Sequence, residues 1–230
     1  MPGRQAGGFA FAAVLFDLDG VVLDSMDQHA AVWQELLAEK GFSIPRRFIL
    51  ENEGALGPGV LARFLKGPGP AGADSAALIK GLLDRQAELY LARHAGQVKP
   101  FPQAIAMLKA LKSRAVPAAL VTSSRRALVQ ACLGEDLRGL FQAIIAAEDV
   151  DRHKPHPAPY LAAAKALTRL PQNCLAVENA PAGIESARAA GTVCYAVCTT
   201  LPAEALRQAR AVFPDLDRLA AHLNLNGAAS

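Results

Sequence analysis

The sequence lacks the features of a membrane protein or a nucleic-acid-binding protein. No apolar run in its 230 residues approaches the ~20 residues that a helix needs to span a bilayer. Its 24 Lys and Arg residues are scattered, and against 21 Asp and Glu residues they give a net charge of only +3. The apolar run at residues 8–16 ends in two aspartates and precedes no small-residue cleavage site, unlike a signal peptide. We therefore expect a soluble, cytoplasmic protein whose partner is neither a membrane nor a nucleic acid.

Cysteine is also scarce. The chain has four cysteines, no C-x-x-C pair and no histidine at the spacing of a zinc finger. All four lie in apolar segments, where a free thiol behaves as a small hydrophobic side chain. We expect buried thiols, with a zinc site or disulfides as the alternatives, at Cys132, Cys174, Cys194 and Cys198.

The chain is organised around two aspartates that follow an apolar run. Residues 11–16 predict a short strand that is buried on both faces, as in a parallel sheet. Asp17 then lies at the carboxyl end of this strand, where open α/β sheets bind ligands. Asp17 and Asp19 point the same way from an extended chain, and two like charges this close require a cation or a shared proton. Mg²⁺, a hard ion that prefers oxygen ligands, fits this requirement; the alternative is that the aspartates only cap a turn.

The order of the predicted elements indicates an α/β core with an inserted helical segment. Residues 27–96 show helical periodicity and no strand signal, whereas from residue 103 helices alternate with short apolar runs. This alternation predicts a doubly wound parallel sheet, in which right-handed crossovers bring the carboxyl ends of the strands to one edge. The predicted strands are residues 11–16, 118–121, 143–147, 174–177, 193–197 and 211–213. We predict a core of residues 1–26 and 97–230, with residues 27–96 as a helical cap inserted after the first strand.

Polar side chains follow the predicted strands of the core. The hydroxyl segment 122–124 follows one strand, Lys154 follows the next, and Glu178 with Asn179 follows a third. Simpler roles exist: Thr122 as a helix N-cap, Lys154 as a solvated loop residue, and Glu178 as an acid at a helix start. Together with the two aspartates, however, these groups are suited to moving a phosphoryl group. Its charge must be balanced by a metal, an ammonium group and hydrogen-bond donors.

These motifs, in this order, resemble those of the haloacid dehalogenase superfamily. The resemblance extends from residue 11 to about residue 219 and rests on Asp17-Leu18-Asp19-Gly20-Val21, Thr122-Ser123-Ser124, Lys154-Pro155 and Glu178-Asn179 with Gly183. The helical insert and the residues Asp24, Ser25, His29 and Trp33 are similar to the β-phosphoglucomutase-like and phosphoglycolate-phosphatase-like subgroup. The dehalogenases of the superfamily lack the second aspartate, since displacing a halide needs no acid. Asp19 therefore argues against dehalogenation.

The resemblance implies a phosphatase that works through an aspartyl-phosphate intermediate, with Mg²⁺ as its cofactor. Asp17 is the implied nucleophile, and Asp19 is the implied acid and base, whose backbone carbonyl also binds the metal. Thr122 and Lys154 are implied to hold the phosphoryl oxygens. The implied metal ligands are Asp17, Asp19, Glu178 and Asn179. The substrate-binding residues that the resemblance implies are Ser25, His29, Gly54, Ser123, Ser124 and Lys154.

Two positions leave alternatives open. Many relatives carry an aspartate where this chain has Asn179, so we expect a weaker metal site unless Glu178 compensates. His29 either faces the active cleft from the first helix of the insert or is a hydrogen-bonded residue at the hinge.

We favour a phosphatase over a phosphomutase. A mutase must hold a bisphosphate, but residues 52–57 are nearly devoid of positive charge, and Gln86 lies where mutase relatives carry a lysine. Arg63 and Arg85 are interpreted as solvated helix residues. The predicted substrate is a small phosphorylated metabolite, such as a sugar phosphate or a phosphoglycolate-like acid, and the protein is expected to be a monomer or a weak dimer. An alternative of another class is a phosphoacceptor signalling domain, but such domains lack a helical insert.

Overall fold

The computed structural model of the chain describes residues 9–52, 58–65 and 76–225. Its strands are β1 (Ala13–Phe16), β2 (Ala118–Val121), β3 (Ala143–Ile145), β4 (Cys174–Glu178), β5 (Val193–Val197) and β6 (Ala211–Phe213). Its α-helices are α1 (Met26–Glu39), α2 (Arg46–Asn52), α3 (Pro58–Leu65), α4 (Ala76–His94), α5 (Pro102–Ser113), α6 (Arg126–Cys132), α7 (Glu135–Arg138), α8 (Ala158–Ala166), α9 (Pro181–Ala189) and α10 (Leu216–His222). Among the helices of these residues, none combines the length and the apolar character that a membrane crossing requires.

The predicted strands are all present, and their ends differ from the prediction by at most two residues. β3 stops at Ile145 because the next residues turn into a short 3₁₀ helix, Ala147–Asp149, in which the Asp149 carboxylate accepts the Ala146 N–H at 2.8 Å. Two helices, α7 and α10, were not predicted. α10 has an N-cap signal that the sequence analysis missed, since the Asp215 carboxylate accepts the backbone N–H of Arg218 at 2.7 Å.

The strands form one six-stranded sheet in the order β3-β2-β1-β4-β5-β6, with every neighbouring pair parallel. β1 pairs with β2 on one side and with β4 on the other, so it lies in the middle of the sheet. Because the strands are parallel, their carboxyl ends meet at one edge. The predicted doubly wound α/β fold is confirmed.

Both faces of the sheet are covered by helices, which explains why β1 is apolar throughout. Val14 and Phe16 belong to a cluster with α5, α6 and α10, whereas Ala13 and Leu15 belong to a cluster with α8 and α9. All four side chains are fully buried. A strand that is buried on both faces has no polar alternation to show, as is typical of parallel sheets.

Helices α1 to α4 lie between β1 and the rest of the core in sequence, and they pack around a hydrophobic cluster of their own. The cluster includes Trp33 and Leu37 of α1, Ile49 of α2, Leu61 of α3 and Leu82 of α4. The two stretches that connect these helices to the core run side by side. Leu23 forms an isolated bridge with Pro100, and the Asp24 N–H donates to the Lys99 carbonyl at 3.0 Å.

All four cysteines are free thiols. Cys132, Cys174 and Cys194 are buried, as expected, whereas Cys198 is only half-buried, so the expectation of burial was wrong at that position.

Candidate active site

The turn after β1 places two carboxylates at the carboxyl edge of the sheet. The Leu18 carbonyl accepts hydrogen bonds from the N–H groups of Val22 and Leu23, which reverses the chain directly behind the strand. Gly20 adopts a φ of +84°, and a Cβ there would lie 2.0 Å from Nδ2 of Asn179, so glycine is required. Asp17 and Asp19 are each 8% exposed.

Lys154 joins three elements beneath the first of these carboxylates. Its Nζ donates to Asp17 Oδ1 at 2.5 Å, to Glu178 Oε1 at 2.8 Å and to the Val121 carbonyl at 3.1 Å. The ammonium group therefore uses its three donors on the ends of β1, β2 and β4. Burial lowers the pKa of Lys154, but the charges of the two carboxylates outweigh burial and raise it above its usual range. The lysine stays protonated, and it is not a solvated loop residue.

Asp17 has an unusual environment for a carboxylate. Burial raises its pKa to about 8, the charge of Lys154 opposes this effect, and the nearby Glu178 and Asp19 add to it. A carboxylate in this position needs further positive charge to be fully ionised at neutral pH.

Asp19 is turned toward a different set of partners. Its Oδ1 accepts from the Ser25 hydroxyl at 2.6 Å and lies 3.1 Å from His29 Nε2, and its Oδ2 accepts from the Ser124 hydroxyl at 2.8 Å. Burial raises its pKa, but the charge and hydrogen bond of His29 and the two hydroxyls outweigh burial and lower it to about 2. Asp17 and Asp19 thus lie side by side with pKa values shifted in opposite directions, which is typical of catalytic pairs.

His29 connects the inserted helices to this pair. It lies on α1, its ring stacks on Tyr90 of α4 with centroids 3.9 Å apart, and its Nδ1 is 3.1 Å from Gln86 Nε2. Of the two roles left open for His29, the structure places it in the cleft, in contact with Asp19.

Thr122 does not cap the following helix. Its Oγ1 accepts the N–H of Ser124 at 2.9 Å, and α6 begins later, at Arg126. The first free N–H of α6, that of Arg126, is instead bound by both oxygens of Glu148, at 3.0 and 3.2 Å. The simpler role considered for Thr122, that of a helix N-cap, is not found, because a carboxylate from the neighbouring loop binds the first N–H of the helix.

Glu178 and Asn179, although adjacent in sequence, face different surroundings. Glu178 Oε1 accepts from Lys154 and from the Tyr160 hydroxyl at 2.5 Å, and its Oε2 accepts the N–H of Asn179 at 3.1 Å. Asn179 Nδ2 donates to the Thr200 hydroxyl at 2.9 Å, while its Oδ1 is buried with no hydrogen-bond partner. A buried acceptor left unpaired is costly, so this oxygen is suited to receive a cation.

Most of the predicted site residues line one cavity, which has a volume of about 290 Å³. The predicted residues that line it are Asp17, Asp19, His29, Thr122, Ser123, Ser124, Lys154, Glu178 and Asn179. Ser25 is fully buried behind Asp19 and is not among the lining residues, and Gly54 lies outside the described residues. From α1 and α4 the cavity also receives Trp33, Leu83, Gln86 and Ala87.

One contact at this site had no sequence signal. Tyr160 lies on α8 among apolar residues, so the sequence predicts a core side chain, and its ring is indeed fully buried. Only the folded structure shows that its hydroxyl reaches Glu178. Burial and the charge of Glu178 raise the pKa of Tyr160, so its hydroxyl keeps its proton and donates.

The fold and the site define a hydrolase of the α/β class with a carboxylate pair at the carboxyl edge of its sheet. A family model described as haloacid dehalogenase-like hydrolase matches residues 11–191, and the chain belongs to this family. The family resemblance seen in the sequence and the prediction of an enzyme are confirmed.

The chain is also similar to named relatives and to solved structures. It is 33% identical over 195 residues to hexitol phosphatase A from Escherichia coli strain K12, covering 84% of this chain and 85% of that protein. It is 30% identical over 182 residues to a fructose-1-phosphate phosphatase from the same strain, covering 79% and 93%. A provisionally named beta-phosphoglucomutase from Bacteroides vulgatus superposes with a TM-score of 0.81 and 28% identity, covering 96% of this chain and 90% of that one.

Proposed function

We propose that this protein is a Mg²⁺-dependent phosphatase that acts on a small sugar or polyol monophosphate through a phosphorylated Asp17. The observation that carries the proposal is the arrangement around Asp17. A buried ammonium group lies 2.5 Å from it, and a second carboxylate beside it has a separate hydrogen-bond network. The family membership and the two phosphatase relatives support the same reaction class.

In the first half of the reaction, an oxygen of Asp17 forms a bond to phosphorus while the bond to the leaving oxygen breaks. Thr122 and Lys154, which both line the cavity, hold the phosphoryl oxygens; Lys154 does so with the donor that is directed at Asp17 before the reaction. The leaving oxygen takes a proton from Asp19. In the second half, Asp19 accepts a proton from water, and the hydroxide attacks the phosphorus and releases Asp17 and inorganic phosphate.

Asp19 must change protonation state between these halves. Its pKa of about 2 favours the form that accepts a proton from water. The first half needs the protonated form, and His29, whose Nε2 lies 3.1 Å from Asp19 Oδ1, is placed to supply that proton. We assign His29 this proton exchange with Asp19.

The donors at the site fit a hard divalent ion. Among the described residues, no group of three or more His, Cys, Asp or Glu side chains is placed to hold a metal, and amide and carbonyl oxygens are ligands that Mg²⁺ also accepts. We assign the metal to Asp17, the backbone carbonyl of Asp19 and the unpartnered Oδ1 of Asn179. Glu178 is not assigned, because its carboxylate is held by Lys154, Tyr160 and the N–H of Asn179. When bound, Mg²⁺ supplies positive charge that favours the ionised form of Asp17 and offsets the charge on the phosphoryl oxygens.

The side of the cavity that α1 and α4 line favours a monophosphate with a neutral remainder. The described residues that reach it from α1 and α4, namely His29, Trp33, Leu83, Gln86 and Ala87, include no lysine or arginine. Arg85 of α4 has a side chain that is 58% exposed and pairs with Glu88, so it is not directed into the cavity. Arg125 of the core also lines the cavity, but it is paired with Asp84. A mutase needs a second cationic phosphate site, and the lack of lysine and arginine among the described α1 and α4 residues at the cavity supports a phosphatase over the mutase alternative.

We further propose that residues 27–96 act as a cap that closes over the site, with hinges at residues 23–27 and 97–102. The bridge between Leu23 and Pro100 lies between these hinges, and an ion pair joins Asp84 of α4 to Arg125 of the core. A closed cap excludes water from the reaction. Crystals grown with and without a phosphate mimic should differ in cap angle; an unchanged angle would contradict the hinge.

The function is tested with purified protein, Mg²⁺, a generic aryl phosphate and a panel of sugar, polyol and carboxylic-acid monophosphates. We expect sustained turnover, fastest on the sugar and polyol phosphates. Asp17→Asn should reduce kcat by at least about a thousandfold, because it removes the nucleophile. Asp136→Asn, the same change on the exposed helix α7, should leave kcat unchanged. A single stable phosphoryl label per chain without turnover would instead support the signalling alternative.

A further inference from the structure

Tyr160 is a fully buried residue near the start of α8, and its hydroxyl is directed at the candidate site. The hydroxyl donates to Glu178 Oε1 at 2.5 Å. The same oxygen accepts from Lys154 Nζ at 2.8 Å, so one carboxylate oxygen joins the tyrosine to the lysine. Tyr160 does not line the cavity, and therefore it does not contact a substrate there.

Hydrogen bonds and close packing fix the position of the Glu178 carboxylate. Tyr160 and Lys154 occupy Oε1, and the Asn179 N–H occupies Oε2 at 3.1 Å. On the α9 side the carboxylate packs on Gly183, where a Cβ would lie 2.0 Å from Oε1. Because the Asn179 bond joins neighbours in the chain, Tyr160 and Lys154 are the groups that fix the carboxylate to other elements.

We propose that Tyr160 is a positioning residue that orients Lys154 through Glu178. This proposal rests on the proposed function. When an Asp17 oxygen bonds to phosphorus, Asp17 loses its negative charge, and Glu178 remains as the anion beside Lys154. The direction of Lys154 toward the phosphoryl oxygens then depends on a fixed Glu178, and the Tyr160 hydroxyl supplies that constraint.

Tyr160→Phe tests this role with little change in shape. The ring remains, and with it the packing in the core and the contact with Lys154, whose Nζ lies 5.3 Å from the ring centroid. Only the hydroxyl is lost. Tyr195→Phe is the matched control, because Tyr195 lies on β5 against Phe11 and Phe213, away from the cavity.

We expect Tyr160→Phe to lower kcat about tenfold relative to Tyr195→Phe, as loss of an outer-shell partner typically does, and to raise KM as well, because Lys154 also binds the phosphoryl group of the substrate. In a Glu178→Gln background, Tyr160→Phe should cause no further loss of kcat, because its route to Lys154 is already broken. Glu178→Asp, which withdraws the carboxylate from both donors without altering the tyrosine, should also lower kcat. A kcat of Tyr160→Phe within twofold of the control, or an equal loss in both backgrounds, would overturn the proposal.

A binding measurement separates this inference from the proposed function. Inorganic phosphate is titrated into wild type, Tyr160→Phe and Tyr195→Phe by calorimetry in the presence of Mg²⁺. We expect affinity about tenfold weaker for Tyr160→Phe only, since Lys154 holds phosphoryl oxygens. If the wild type turns over no phosphate ester, the proposed function fails, and this titration alone decides the positioning role. Equal affinities in all three proteins would overturn it.

Discussion

Replacing Gly183 with alanine tests the centre of the site by adding a single methyl group. Gly183 lies in the first turn of α9, beside the Glu178 carboxylate. A Cβ there would lie 2.0 Å from Oε1, 2.1 Å from Cδ and 2.3 Å from Oε2, whereas ordinary contacts begin at 3.4 Å. Either the carboxylate or the helix must therefore move by about 1.4 Å. Glu178 cannot turn away freely, because Tyr160 and Lys154 hold it.

The size of the effect follows from what the movement breaks. Losing a hydrogen bond to a charged group in a buried site costs about 1.5–3 kcal/mol. Replacing glycine by alanine within a helix stabilises the folded state by about 0.5–1 kcal/mol, which offsets part of this loss. We expect Gly183→Ala to be less stable by about 1–2 kcal/mol, which lowers Tm by roughly 2–8 °C in a chain of this length. We also expect a lower kcat, because Lys154 loses a fixed partner.

Gly81→Ala provides the matched control. Gly81 also lies within a helix, α4, but a Cβ there meets nothing within 4 Å. This variant should gain about 0.5–1 kcal/mol and keep full activity. Thermal unfolding and turnover of both variants are compared with wild type. Equal stability and activity of Gly183→Ala and Gly81→Ala would refute the packing of Glu178 on α9.

Two further predictions concern the metal and a thiol. Asn179→Asp adds a negative charge to the assigned ligand set, so calorimetry should show Mg²⁺ binding about tenfold tighter. Activity should also saturate at a lower Mg²⁺ concentration. An unchanged affinity would exclude Asn179 from the site. Burial, with a smaller effect of Asp19, raises the pKa of Cys132 to about 12, so the thiol stays protonated at pH 8. Mass spectrometry should find Cys132 unmodified by iodoacetamide in the native protein and alkylated in urea, and rapid alkylation of the native protein would contradict its burial.

The sequence predicts the sheet and the meeting of its strand ends well, for a physical reason. Strands buried on both faces appear as apolar runs, and parallel strands necessarily bring their carboxyl ends together. Asp17, Thr122, Lys154 and Glu178 are far apart in the chain, yet the fold gathers them around one cavity. Their convergence was predictable from topology alone.

The sequence does not predict which side chains form hydrogen bonds with one another. Thr122 precedes a helix, but the first N–H of α6 is bound by Glu148 from another loop. Tyr160 lies among apolar residues of α8, and its bond to Glu178 depends on the packing of that helix against β1, β2 and β3. Such contacts are set by distances of a few tenths of an ångström, and a residue pattern carries no information at that scale.

The different partners of Glu178 and Asn179 explain how a neutral amide could serve as a ligand at the proposed metal site. Nδ2 of Asn179 is directed to the Thr200 hydroxyl, and that contact leaves Oδ1 buried and unpaired beside the carboxylates. An acceptor buried without a partner costs about 1–3 kcal/mol, and a cation bound at Oδ1 would remove that cost. An aspartate would attract a cation more strongly, but it would also add a fourth carboxylate to Asp17, Asp19 and Glu178. The amide therefore lacks the charge of an aspartate, but it offers a cation an oxygen that is already oriented and desolvated. Glu178 can then hold Lys154.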